Sequence, residues 1–334
     1  MAIQTNSQNT FAAIGQREDL TDIVALIDPQ ETPFISNIGT GPAAKAVKHE
    51  WQTQALAAPS KTNFQLEGDD SVSAAAATNR VRLNNYCAIS TKIGSVTGTM
   101  QAVEVAGISN ELDNQKILKA KELRRDMEVI NLDNNAYVAG GTATARESAG
   151  LAAYITNTDT TGWSVGSYSA ASGTGADAWV LTNAPTRALS LSILNGALLE
   201  AHIDGGMPNM ALMSPGRKIS FTNLTLSTTL GGGSQVRYNT DSIKPMALIG
   251  AVDTWLSNFG QLQIVSDVQM ASDTSFLDNA VFLVDTRYAK ISYLRGFQTF
   301  PLAKTGDADK FEVLAEYTLQ VDAPKAHAAL FKVT

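Results

Sequence analysis

Lys45-Ala-Val-Lys-His-Glu-Trp-Gln-Thr-Gln-Ala-Leu56 reads as an outgoing strand, and Thr78-Asn-Arg-Val-Arg-Leu-Asn-Asn-Tyr-Cys-Ala-Ile-Ser-Thr91 as its return. Between them lies a tip of small and polar residues, Ala57 to Ala77. Such a tip has too little bulk to build a core, and an isolated two-stranded ribbon is marginal in water. The ribbon must therefore lie against something else, and another copy of the same chain is the economical partner. Trp51 faces the same way as Val47, His49 and Thr53, because side chains alternate along a strand. Near the tip, Glu67, Asp69 and Asp70 have only Lys61 as a basic neighbour in sequence. Trp51, Lys61, Glu67, Asp69 and Asp70 are therefore the residues expected at contacts between subunits, with the acids meeting Lys or Arg on an adjacent copy; for Trp51 the alternative is packing inside its own subunit at the loop's base.

A long charged helix is expected next, over residues 108–139. Ser109 or Asn110 can cap its start, and Glu111 and Asp113 occupy the first turn, where the helix dipole favours acid. Ala120, Leu123, Met127, Ile130, Asn134 and Tyr137 recur at spacings of three or four, which makes one packed stripe. Lys116, Lys119, Lys121, Glu122, Arg124, Arg125, Asp126 and Glu128 are assigned to the other, solvated faces. Gly140-Gly141 is the expected stop. The whole reads as a strut with one packed side.

Composition narrows the function. The chain has 334 residues, 44% hydrophobic and 17% charged, with a formal net charge of −7. Average soluble proteins carry roughly 25% charged residues, so part of this surface is expected to be neutral and buried in contacts. An acidic chain lacks the basic face that a nucleic-acid binder needs. Cys87 is the single cysteine, which rules out an intrachain disulfide. His49, His202 and His327 are scattered and lack the spaced N/S ligands of a zinc site. Met1 to Thr10 has no positive n-region and no apolar core, so no signal peptide is expected. No run of about 18 apolar residues suggests a membrane span. These features point to an origin in the cytoplasm, with no catalytic, cofactor or metal residues.

The remaining chain mixes helices and strands without regular alternation, which favours an α+β fold. Residues 1–44 read as an arm with a helical patch from Arg17 to Ile27, broken by Asp28-Pro29 and Thr32-Pro33. Residues 156–178, rich in Thr, Ser, Gly and Asp, read as an inserted loop or hairpin. A second helix is expected from Pro185 to Ile203, with Leu189, Ile193, Leu194, Ala197 and Leu198 buried and Asp204-Gly205-Gly206 at its end. Pro208 to Met213 reads as a strand, and Ser214-Pro215 as a cap and first residue of a helix running toward Leu226. Gly231 to Ser234 is a turn. Strands are then expected at 262–265, 280–285, 290–294, 311–321 and 328–333.

Several motif matches fail on context. Gly39-Thr-Gly-Pro-Ala-Ala44 fits a dinucleotide fingerprint on paper, but a strand rather than a helix is expected after it. Gly162-Trp-Ser-Val-Gly166 fits a nucleophile elbow, yet polar residues flank it on both sides where a strand and a helix belong. A hydrolase built on Ser164 is thus the weakest of the functional readings. Glu67, Asp69 and Asp70 lack the spaced oxygen ligands of a calcium loop.

Asp28-Pro-Gln-Glu-Thr-Pro-Phe-Ile-Ser36 resembles the P-x-x-T-P-F segment typical of one large group of tailed-bacteriophage major capsid (major head) proteins with the Hong Kong 97-like fold. His49-Glu-Trp-Gln-Thr53 is similar to the first arm strand of that group. Thr97-Gly-Thr99 and Ala106-Gly107 resemble the approach to its spine helix. Ala145-Arg-Glu-Ser-Ala-Gly-Leu151, Tyr293-Leu-Arg295 and Leu302-Ala-Lys-Thr-Gly-Asp307 resemble later segments. The likeness implies an N-terminal arm (1–44), an extended β-hairpin loop with the start of a peripheral domain (45–100), and a peripheral domain with the spine helix and the insertion (101–184). An axial domain (185–290) and C-terminal strands of the peripheral domain (291–334) would complete the chain.

It also implies a structural, non-enzymatic role. The chain would self-assemble into hexamers and pentamers of an icosahedral head that encloses double-stranded DNA without specific binding. Portal, scaffolding and decoration proteins would be its partners, with assembly in the host cell cytoplasm and the virion as its place of residence. Encapsulins, bacterial compartment shells, resemble the same fold and are the alternative reading. The lysine–asparagine cross-link possible in this fold is not expected, since only Lys61 lies near the loop tip and no motif identifies an asparagine or a catalytic acid.

Overall fold

The computed structural model describes residues 28–29, 31–64, 66–68, 77–105, 107–160, 163–164, 168–226, 253–274 and 276–334. The helical patch at 17–27, the turn at 231–234, and Asp69 and Asp70 lie outside the described residues.

The described chain begins with a short helix α1 (Pro33–Asn37) and strand β1 (Gly39–Thr40). Thr32-Pro33 therefore starts a helix instead of only breaking one, because proline's fixed φ suits the first helical position. No helix opens after Gly39-Thr-Gly-Pro: β1 pairs in parallel with a later strand, and Gly41 N donates to Ile291 O at 2.8 Å.

The ribbon follows as β2 (Lys48–Thr53) and β3 (Val81–Tyr86), antiparallel, with Trp51 opposite Leu83 and His49 opposite Asn85. The return strand is longer than its sequence suggests. It breaks at Cys87 and continues as β4 (Ala88–Thr97) in a different sheet. Helix α2 (Gly98–Ala102) then leads to the spine helix α3 (Glu111–Leu132).

The spine is shorter at both ends than the expected 108–139. Asn110 caps it, its Oδ1 accepting from Leu112 N and Asp113 N. At the other end the chain turns extended at Asp133, well before Gly140. The Asp-Asn-Asn triplet supplies the reason. Asp133 Oδ1 accepts from Asn134 N, Asn134 bridges to the backbone of Trp179, and Asn135 Nδ2 donates to Ser148 O. Such side chains offer the backbone alternatives to the helical bond. At about 1.5 Å per residue the helix is roughly 33 Å long.

Helix α4 (Leu191–Ile203) starts later than Pro185, because Ser190 caps it by accepting from Ile193 N. Its expected buried face is buried, and Gly205, at φ 90°, follows its end. Strand β5 (Met210–Met213), helix α5 (Pro215–Leu226), and strands β6 (Thr254–Ser257), β7 (Gly260–Ser266) and β8 (Val281–Val284) follow. The long hairpin β9 (Ala289–Pro301) and β10 (Ala308–Val321) precedes a short last strand, β11 (Ala328–Leu330).

Two main sheets result. One has the order β1-β9-β10-β4, the other β11-β8-β5-β7-β6. The last strand joins the second sheet by pairing with β8. Met210, Leu212, Phe282 and Val284 enter a core shared with α3, β9 and β10, while Ala211, Met213, Val281 and Leu283 enter a second core under α4 and α5. The period-two alternation of β5 and β8 makes their sheet the wall between the two cores. Within the 156–178 stretch, Trp163 and Tyr168 pack against the first core. Trp163, Tyr168, Trp179 and Phe331 make a run of ring contacts with centroids 5.1–6.2 Å apart, and Trp179 Nε1 donates to Ile155 O.

Candidate functional site: the extended loop and the arm dock

The base of the ribbon is locked into its own subunit. Trp51 is 8% exposed, its Nε1 donates to Val321 O at 2.7 Å, and its ring meets those of Tyr154 and His49. In the single chain it packs internally, as the alternative reading of this residue had it. Beside it, Asn85 is fully buried and saturates its amide: Nδ2 donates to Ser148 Oγ, Ala149 O and Leu319 O, and Oδ1 accepts from Ala149 N and Tyr86 N. Sequence reading passed over Asn85, although two consecutive asparagines inside a strand are themselves a signal, since strands are poor in Asn.

Toward the tip the packing ends. Lys61 and Glu67 are exposed. So are three large apolar side chains, Leu56 at 96%, Phe64 at 88% and Leu66 at 81%. The tip read from sequence as small and polar therefore carries an apolar pair. A Phe-x-Leu spacing inside a polar stretch was the available sign.

The second candidate region is the dock of the N-terminal arm. Phe34, the last residue of the quoted Thr-Pro-Phe motif, is fully buried in the spine-helix core. Arg124 of α3 donates from Nε to Thr32 Oγ1 and from Nη2 to Ser36 Oγ. Glu128, assigned from sequence to a solvated face, is fully buried instead. Its carboxyl group accepts from Phe34 N at 2.5 Å and Ile35 N at 2.9 Å. It replaces the cap that Thr32 would otherwise give α1, for Thr32 makes no side-chain cap bond. Burial pushes the Glu128 carboxyl up to about 8, against the opposing pull of the Ile35 amide.

A second buried glutamate behaves differently. Glu316, 3% exposed at the irregularity between β9 and β10, accepts from Arg146 Nη2 at 2.8 Å and Arg295 Nε at 2.7 Å. Two cations balance it, where Glu128 has backbone amides.

Ser164 is exposed, whereas His327 is fully buried, with Nδ1 accepting from Asp285 N. Among the described residues no group of His, Cys, Asp and Glu is placed to hold a metal, and no helix is long and apolar enough to cross a membrane.

This arrangement is similar to known shell proteins. A family model described as SU10 major capsid protein matches residues 3–334. The major capsid protein of Escherichia phage Phieco32 is 29% identical over 122 residues, which is 36% of this chain. The matched stretch spans about a third (34%) of that relative's length. Among solved structures, the Cyanophage A-1(L) capsid asymmetric unit matches with a TM-score of 0.62 at 13% identity, over 98% of each chain. A chain of Gordonia phage Cozz matches at 0.61 and 11% identity, over 99% of this chain and 96% of that one. The capsid of a native GTA particle matches at 0.58 and 11% identity, over 97% of each. The fold is the Hong Kong 97-like fold of phage capsids.

Proposed function

The chain belongs to the SU10 major capsid protein family, and from that premise we propose that it closes into an icosahedral head of hexamers and pentamers around double-stranded DNA. Its role is structural. We read no catalysis in it, and assign its assembly to the host cytoplasm, with portal, scaffolding and decoration proteins as partners.

One observation carries the proposal to residue level: the extended loop is locked at its base and unpacked at its tip. Leu56, Phe64 and Leu66 expose apolar surface that a monomer gains by covering. Lys61 and Glu67 flank that surface, and Asp69 and Asp70 follow in sequence. In this reading the apolar trio gives the affinity of the contact with a neighbouring subunit. The charges set its register, since exposed ion pairs contribute only about 0–1 kcal/mol each. Trp51 serves the contact indirectly, by holding the ribbon's base. A wall of subunits each carrying −7 leaves DNA ungripped, because tight binding needs clustered cations that release counterions.

Deletion of residues 57–77 tests the scheme. The variant is expected to keep native circular dichroism and to stop short of closed shells in electron micrographs. Normal particles from it would remove the loop as the organising contact. Denaturing gels of mature native particles are expected to run as single 35.4 kDa chains; a ladder of multiples would mean covalent cross-linking.

A further inference from the structure

We propose that Glu128 and Asp267 share one proton, and that this proton fastens arm residues 29–36 to the spine helix, so that the arm loosens as the proton is lost. The inference rests on contacts within one chain and does not depend on how the shell assembles.

Asp267 follows β7 and is fully buried. Its Oδ1 accepts from Gln269 N at 2.8 Å, and its Oδ2 is buried with no hydrogen-bond partner among the described residues. It lies within hydrogen-bonding reach of Glu128. Two carboxylates in one buried site cannot both be ionised without a large cost. A proton held between them removes that cost and satisfies Asp267 Oδ2.

The nearby cations are committed elsewhere. Arg124, on the same helix as Glu128, donates to Thr32 and Ser36, and Arg125 donates to Gln269 Oε1. The arm side brings the amides of Phe34 and Ile35, and β9 brings Tyr293, on which the charge of Arg124 acts. Asp267, between β7 and the 3-10 turn Gln269–Ser272, is the carboxylate that acts on Glu128.

The pair also controls the arm mechanically. Glu128 holds the amides of Phe34 and Ile35. Gln269, whose own backbone amide is held by Asp267, donates from Nε2 toward Pro29 O and Glu31 O at 3.3 and 3.5 Å. Pro29, Glu31, Phe34 and Ile35 thus hang on two side chains, and the carboxyl pair supports both.

The sign follows from burial, which raises Glu128 from 4.5 to about 8 and Asp267 from 3.8 to about 6. Raised carboxyl values favour the protonated, docked form. Docking is strongest below the values of the free acids and weakens as pH rises through those of the docked pair. At neutral pH the pair holds one proton.

Limited proteolysis of the full-length chain within residues 28–38 reads arm opening. Opening is expected to increase by up to about a hundredfold per pH unit between ~pH 5 and ~pH 6, where opening releases two protons, by up to about tenfold per pH unit from ~pH 6 to ~pH 8, and then to level off. Glu128→Gln keeps a neutral acceptor and adds a donor toward Asp267, and should flatten the profile above ~pH 6. Asp267→Asn should move the levelling-off to lower pH. An infrared difference spectrum of native chain minus Glu128→Gln at neutral pH should contain the carbonyl stretch of a protonated carboxylic acid. An unchanged slope in Glu128→Gln would overturn the proposal, and so would a neutral-pH spectrum without that band. If neither variant folds, the band is followed against pH in the native chain alone. Its loss over the range in which the arm opens is the expected result, and its absence at neutral pH would overturn the proposal.

Discussion

The two ends of the extended loop obey opposite rules. At the base every polar atom of Asn85 is matched, and Trp51 is held by both its ring and its indole nitrogen. At the tip, Leu56, Phe64 and Leu66 stand in solvent. The base is specified by the chain's own fold, while on the reading proposed above the tip is specified by a neighbouring subunit. On that reading a residue's importance to assembly and its importance to folding are separated along one ribbon.

Three variants can break or sharpen that separation. Trp51→Ala should cost the most, about 3–5 kcal/mol of subunit stability, measured by urea unfolding of the free chain. A loss near zero would mean that the base, too, waits for a neighbour. Asn85→Ala comes next. It strips partners from Ser148, Ala149 and Leu319, and leaving buried groups unpaired costs about 1–3 kcal/mol. Its effect should appear equally in free chains and in assembled shells. Phe64→Ser combined with Leu66→Ser should move subunit stability by no more than about 0.5 kcal/mol, yet shift sedimentation from shells toward small oligomers. If the double variant unfolds the free chain, the tip is packed in a way the exposed side chains contradict.

The contrast also explains what could be read from sequence. Helical spacing located the spine because Leu123 and Met127 repeat on one face, and both are fully buried. It misassigned Glu128, because the groups that bury it, the amides of Phe34 and Ile35, lie far away in the chain. Periodicity describes a helix's own faces and carries no information about which distant segment covers them. The helix end was misjudged for a local reason: Gly140-Gly141 looked like the stronger stop, but Asp133-Asn134-Asn135 found partners first. Ser214 as a cap was legible, since capping depends on neighbours one turn away. Strand alternation anticipated the inward face of β2, yet nothing in it announced that the return strand changes sheets at Cys87.

That change of sheets makes the molecule its own timing device. Cys87 is fully buried where β3 gives way to β4, its amide donates to Val47 O at 2.8 Å, and burial pushes its thiol up to about 11. Alkylating reagents consume only the thiolate. As the single cysteine of the chain, it reacts when this junction opens, so labelling kinetics count openings one at a time. Comparing free chains with closed shells by this clock gives the rate at which the ribbon's root breathes, and how far neighbouring subunits slow it.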